Sequence, residues 1–180
     1  MIHRFVLATL VMLAAAPAVA GGFRLTSPDI ADGKPMAERY VFAGFGCTGD
    51  NVSPALAWSD APAGSKSFAV TAYDPDAPTG SGWWHWVVFN VPTATRALPA
   101  GAGAGGALPA GAVQSRTDFG TPGYGGPCPP AGAPHRYVFT VHALDVDSLP
   151  LDPQASAAMV GFMVNAHSLG HASLTALYGR

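Results

Sequence analysis

Charge is what this 180-residue sequence has least of: Asp, Glu, Lys and Arg make up 11% of it, against about 25% in an ordinary soluble domain. The nine basic side chains are outnumbered by eleven acidic ones, so the electrostatic footprint of a nucleic-acid binder is absent. Cysteine is scarce, with Cys47 and Cys128 alone. Neither Cys-x-x-Cys nor His-Glu-x-x-His occurs, which removes the common metal spacings. No Gly-x-Ser-x-Gly elbow is present for a serine hydrolase. The apolar run from Phe5 to Pro17 falls short of the ~20 residues a membrane span needs. There is no internal repeat.

What the chain does have is turn chemistry and apolar surface. Its 22 glycines and 17 prolines imply many turns and little long helix. An apolar content of 49% still fills one sizeable core, which argues against disorder. Arg4, the Phe5 to Pro17 run and the small residues of Ala18-Val19-Ala20 read as a secretory signal peptide, residues 1–20, cut after Ala20. Residues 21–180 are then a single domain of a periplasmic or secreted protein. In an oxidising compartment an even pair of cysteines favours a Cys47–Cys128 disulfide.

Taken in order, Gly22 to Ile30 reads as an edge strand around a Ser-Pro turn, and Tyr40 to Phe45 as a second apolar run. Ala55 to Trp58, Ser67 to Tyr73 and Trp83 to Val91 read as strands. Asn51-Val52-Ser53 is formally a glycosylation sequon, discounted because Pro54 comes directly after it. Leu98 to Val113 is rich in Gly and Ala and reads as a mobile connection. Gln114 to Phe119 reads as a short strand and His135 to Leu144 as a long one. Asp152 and Pro153 suit the N-cap and first turn of a helix over 153–167. Gly170 then breaks it before a closing strand, Ala172 to Tyr178. Short strands, Pro/Gly turns and one late helix define an all-β-dominated chain, an antiparallel β-sandwich around a large central sheet.

Chemistry concentrates in two loops. Asp74-Pro75-Asp76-Ala77-Pro78 stiffens the exit from one strand and leads to Trp83-Trp84-His85. Gly125-Gly126-Pro127-Cys128-Pro129-Pro130 leads to His135-Arg136-Tyr137. Strict alternation puts Trp83, His85, Val87, Phe89 and Val91 on one face, and His135, Tyr137, Phe139, Val141 and Ala143 on one face of the later strand. His85 and His135 then meet if both faces line one core. A histidine on an apolar face is more often a satisfied core group than a ligand-binding one. Two of them beside rigid turns, with Asp74 at hand, compose an anion grip in which imidazolium and Tyr O–H donate and Asp74 holds one imidazole cationic. Asp76 reads as scaffold of its own turn. Asp74, His85 and His135 also have the composition of a two-histidine, one-carboxylate metal centre, the basis of a metal-dependent enzyme reading. A Cys128 nucleophile is the third alternative.

Those two loops together resemble the phosphatidylethanolamine-binding protein family, in particular its bacterial Raf-kinase-inhibitor-like branch, over about Phe23 to Tyr178. The resemblance implies a sandwich with an anion pocket at one end and no catalysis. It carries Asp74, His85, His135 and Tyr137 onto the pocket, Trp83 and Pro129 onto its rim, and Tyr124 onto a further pocket position. It implies phosphate or a phospholipid head group as ligand, no cofactor, and regulation of another protein as a kinase-inhibitor-like factor. A protein partner and a homodimer stay open. Animal members carry two adjacent histidines where this chain has Trp84-His85.

Overall fold

The strand β5 (Ser67–Asp74) is apolar on both faces, and in an antiparallel protein that pattern belongs in the middle of a covered sheet. The computed structural model, which describes residues 22–104 and 108–180, places it there. The other strands are β1 (Arg24–Thr26), β2 (Ala43–Gly44), β3 (Cys47–Thr48), β4 (Leu56–Ser59), β6 (Trp83–Pro92), β7 (Ala97–Leu98), β8 (Val113–Gln114), β9 (His135–Leu144) and β10 (Ser168–Tyr178). The helix α1 (Ala157–His167) precedes β10. The central sheet runs β10-β9-β5-β6-β8, antiparallel throughout.

Each face of that sheet has its own cover. On one, Phe68, Val70, Ala72, Trp86, Val88, Tyr137, Phe139 and Val141 pack under Leu25, Leu56, Trp58 and Leu98 of the small sheet β1-β4-β7. On the other, Ala69, Val87, Phe89 and Leu144 meet Leu149 and the Ala157, Val160 and Val164 face of α1. Val160 and Val164 are buried, each worth about 1.5–3 kcal/mol. The expected sandwich with a late helix is what the chain forms.

Several local expectations are corrected. Strict alternation fails along β6, because the pairing with β5 slips twice: once between Ala72 and Tyr73, once between Phe68 and Val70. Each slip is a β-bulge, an extra residue that turns the remainder of the strand to the other face. Trp83 and His85 therefore share their side with Trp86, Val88 and Val91, while Val87 and Phe89 face α1. At the second bulge Asn90 takes φ 57°, and its side chain bonds both the N–H and the C=O of Leu149.

The helix starts later than Asp152-Pro153. Asp152 instead accepts from Gln154 N–H in its own turn (2.8 Å), the local competition typical of Asp. Ser156 is the N-cap, accepting from Met159 N–H at 3.2 Å. Gly170 ends nothing: β10 begins at Ser168, and a further bulge lies between Ser168 and Gly170. The short strand expected at 114–119 shrinks to Val113–Gln114. The Gly/Ala connection is packed in its described first part, where Ala102 and Gly103 are buried in a single 3₁₀ turn. Gly103 N–H donates to Ser53 Oγ there (2.9 Å). The signal-peptide segment lies outside the described residues.

Candidate functional site

An antiparallel neighbour begins where its partner ends, so the C-terminus of β5 and the N-termini of β6 and β9 converge at one end of the sheet. Asp74 ends β5 opposite Trp83, and β9 opens with His135 on the other side of β5. Topology alone thus gathers the carboxylate, both histidines and Tyr137. They line a cavity of about 150 Å³, walled by Phe45, Phe119, Trp83, Pro78, Pro129 and Pro130.

Asp74 is 3% exposed and fully engaged. Its Oδ2 takes Nδ1 of His135 at 2.7 Å, and its Oδ1 accepts Asp76 N–H at 2.8 Å. Asp76 is scaffold, but not of its own turn as its place between two prolines suggested: the bond within the turn is made by Asp74, and Asp76 ties the loop to β9. Its carboxylate accepts the Arg136 fork (2.9 and 2.7 Å) and the Arg136 backbone N–H (2.9 Å). The guanidinium holds the Asp76 carboxyl down at about 2. That clasp closes the 75–82 loop over the start of β9. At the loop's far end Gly82 has φ 66° and lies hard against the Tyr73 hydroxyl, leaving no room for a side chain.

His85 is held differently. Its Nδ1 lies 2.6 Å from Gly125 O, and a carbonyl only accepts, so that nitrogen carries the proton. The ring is 5% exposed, set edge-on against Phe119 and Tyr137 at centroid distances of 5.4 and 5.1 Å. Burial pushes its pKa below the usual histidine range, against smaller opposing effects of the Gly125 carbonyl and the Asp74 charge. The imidazole paired with Asp74 is therefore His135 and not His85. The Tyr137 hydroxyl is buried and has no hydrogen-bond partner among the described residues. Burial first, and the Asp74 charge second, drive its pKa well above that of free tyrosine, so it stays an O–H donor.

Of the residues expected at the site, Asp74, His85, His135, Tyr137, Trp83 and Pro129 all border the cavity. Tyr124 does not. Its hydroxyl donates to Tyr40 O at 3.0 Å, inside the core. The sequon residue Asn51 is likewise committed, donating to Tyr124 O (3.1 Å) and accepting from Gly126 N–H (2.7 Å). Cys47 and Cys128 form a disulfide with Cα atoms 6.0 Å apart, so Cys128 is no thiol nucleophile. The bridge clamps the β2–β3 hairpin, with Phe45 at its tip, onto the Pro129 side of the mouth. Phe45 and Phe119 are wall residues that the sequence patterns do not single out. Phe45 is signalled only by its nearness to Cys47, whereas Phe119 carries no local signal. Asp74, His85 and His135 do not gather as metal ligands: Asp74 binds His135 directly and His85 Nδ1 binds backbone. Among the described residues no group of three or more His, Cys, Asp or Glu is placed to hold an ion.

The family model for phosphatidylethanolamine-binding proteins matches residues 26–179. The chain belongs to that family. It is 60% identical over 156 residues to the UPF0098 protein YbhB of Escherichia coli (strain K12), covering 86% of this chain and 99% of that protein. It is 37% identical to the putative lipoprotein LppC of Mycobacterium tuberculosis (strain H37Rv) over 155 residues, 86% of this chain and 71% of that one. The crystal structure of E. coli YbcL, described as a new member of the mammalian PEBP family, superposes with a TM-score of 0.87 at 52% identity. That likeness covers 89% of this chain and 99% of YbcL. CT736 of Chlamydia trachomatis, a putative phosphatidylethanolamine-binding protein homologue, gives 0.75 at 31% identity, over 88% and 98% of the two chains.

Proposed function

We propose that the protein is an exported, non-enzymatic binder of a small anion, a phosphate or phosphorylated head group, at the cavity bounded by Asp74, His85, His135 and Tyr137. The observation that carries this reading is Tyr137, a residue of the cavity lining whose buried hydroxyl has no hydrogen-bond partner among the described residues, next to the imidazole that Asp74 holds. Leaving such a donor unpaired costs about 1–3 kcal/mol, which a ligand oxygen recovers. The volume of about 150 Å³ is below the roughly 300 Å³ at which drug-sized pockets begin, so it takes a head group and not a whole lipid. Export is supported by the disulfide, by the 1–20 segment, and by a relative named as a lipoprotein.

The test is thermal stabilisation by inorganic phosphate. A ligand at a hundred times its Kd stabilises by about 2.7 kcal/mol. Tyr137→Phe and Asp74→Asn should each lose that increment. Asp74→Ala is a poorer probe, because it strands Asp76 N–H and the His135 ring. An undiminished increment in both variants would place the anion elsewhere.

A further inference from the structure

The two histidines at the cavity differ in what they can offer. His135, bridged through Nδ1 to Asp74, has a carboxylate to balance a second proton. His85 has none in contact. The charged or titratable groups around it are Asp74 at the end of β5, His135 and Tyr137 on β9, and Asp118 in the 117–121 turn. Asp74 is spent on His135 and Asp76 N–H. Asp118 accepts Trp84 N–H at 2.8 Å. Gly125 O fixes the proton on Nδ1. The ring's remaining nitrogen, Nε2, is then a lone-pair acceptor beside the cavity, and burial keeps it so by pushing the pKa down. Tyr137 is the complementary donor.

Resting on the anion-pocket reading above, we infer that the cavity selects oxyanions by their proton. The monoanion of a phosphate monoester donates its P–O–H to His85 Nε2 and accepts from Tyr137 Oη with a charged oxygen. A fully deprotonated group of the same shape meets the Nε2 lone pair with a lone pair of its own and is rejected. His85 is thus the residue that sets specificity, and the chemical class of the ligand is a singly protonated phosphate monoester.

Methyl phosphate and methyl sulfate separate the possibilities. Below about pH 6 both carry one negative charge, but only the phosphate keeps an acidic proton. Calorimetric titration of the whole exported chain should find methyl sulfate at least about tenfold weaker there, the cost of an unpaired buried acceptor. Methyl phosphate affinity should fall about tenfold per pH unit above its second pKa of about 6. His85→Gln offers an amide N–H in place of the lone pair and should narrow the gap between the two anions. If that variant fails to fold, the two ligands on the unsubstituted protein still decide. Equal affinities at low pH would overturn the proton selection while leaving the anion pocket standing. Parallel weakening of both anions with pH would do the same, since the ligand's own proton would then not matter. No binding of either anion would overturn both readings.

Discussion

Replacing Cys47 and Cys128 together by serine removes the one covalent tie between the two loops that frame the cavity. The bridge closes a loop of 81 residues, and on the chain-entropy account such a loop stabilises by roughly 4.5 kcal/mol. For a domain of this length each kcal/mol moves Tm by about 2–4 °C. Calorimetry should therefore show the serine pair melting roughly 9–18 °C below the oxidised protein. The oxidised protein in reductant should drift toward the same value. The loss should also be felt at the cavity, because the tether holds Phe45, 67% exposed at its hairpin tip, against the Pro129 wall. Phosphate affinity should fall in the serine pair at temperatures where it is still folded. A Tm change under about 3 °C would refute the entropic reasoning, and unchanged affinity would show that the hairpin seats itself without the bridge.

Acid should destabilise the fold through His142 on β9, which lies against His171 of β10 with ring centroids 5.9 Å apart. Burial first, and the His171 charge second, lower its pKa from 6.5 to about 4. The unfolded chain thus binds the proton first, and stability present above pH 6.5 is lost progressively as pH falls to about 4. The loss is on the order of 3 kcal/mol. Urea melts of His142→Gln should show a flatter pH slope over that window, and an unaltered slope would assign the loss to other groups. Gly126→Ala should cost at least about 2 kcal/mol, because a Cβ there collides with the Tyr40 carbonyl and meets Phe42 N at 2.7 Å. Gly161→Ala, in the middle of α1 with open space around it, should instead gain about 0.5–1 kcal/mol. Melting the two variants side by side checks both signs.

Much of the architecture was legible because it rests on period and punctuation. The apolar alternation of Ser67 to Tyr73 and of His135 to Leu144 survives intact in β5 and β9, and the turn-rich composition fits a sandwich with one helix. The site was legible for a related reason: its residues sit at strand ends beside Pro-rich loops, and antiparallel order brings those ends together. What escaped the sequence depends on irregularity or on distant contact. The slips along β6 fall inside one unbroken apolar run, where no local pattern of Val87, Phe89 and Val91 announces them. Asp152 could cap either a turn or a helix, and the turn nearer in sequence took it. Tyr124 stands in glycine-rich surroundings that suggest a pocket, but its partner Tyr40 O lies 84 residues away in sequence, beyond any local signal. Phe119 reaches the cavity only through the path of the chain after β8.

The slip beside Ala72 gives β6 a property that a regular strand lacks. Neighbouring residues on a regular strand are locked in opposition, so whatever faces a ligand fixes what its successor must face. Here His85 and Trp86 are consecutive, yet one serves the cavity while the other is sealed in the core with its indole N–H on Gln114 at 2.6 Å. The extra residue acts as a clutch between recognition and packing. Drift in the core beyond Trp86 can proceed without re-aiming His85, and changes at the mouth need not be answered inside. Deleting Trp84 would engage that clutch: His85 would take the place opposite Tyr73 that Trp84 now holds, on the other face of the sheet, and the cavity would lose its acceptor without any substitution at position 85.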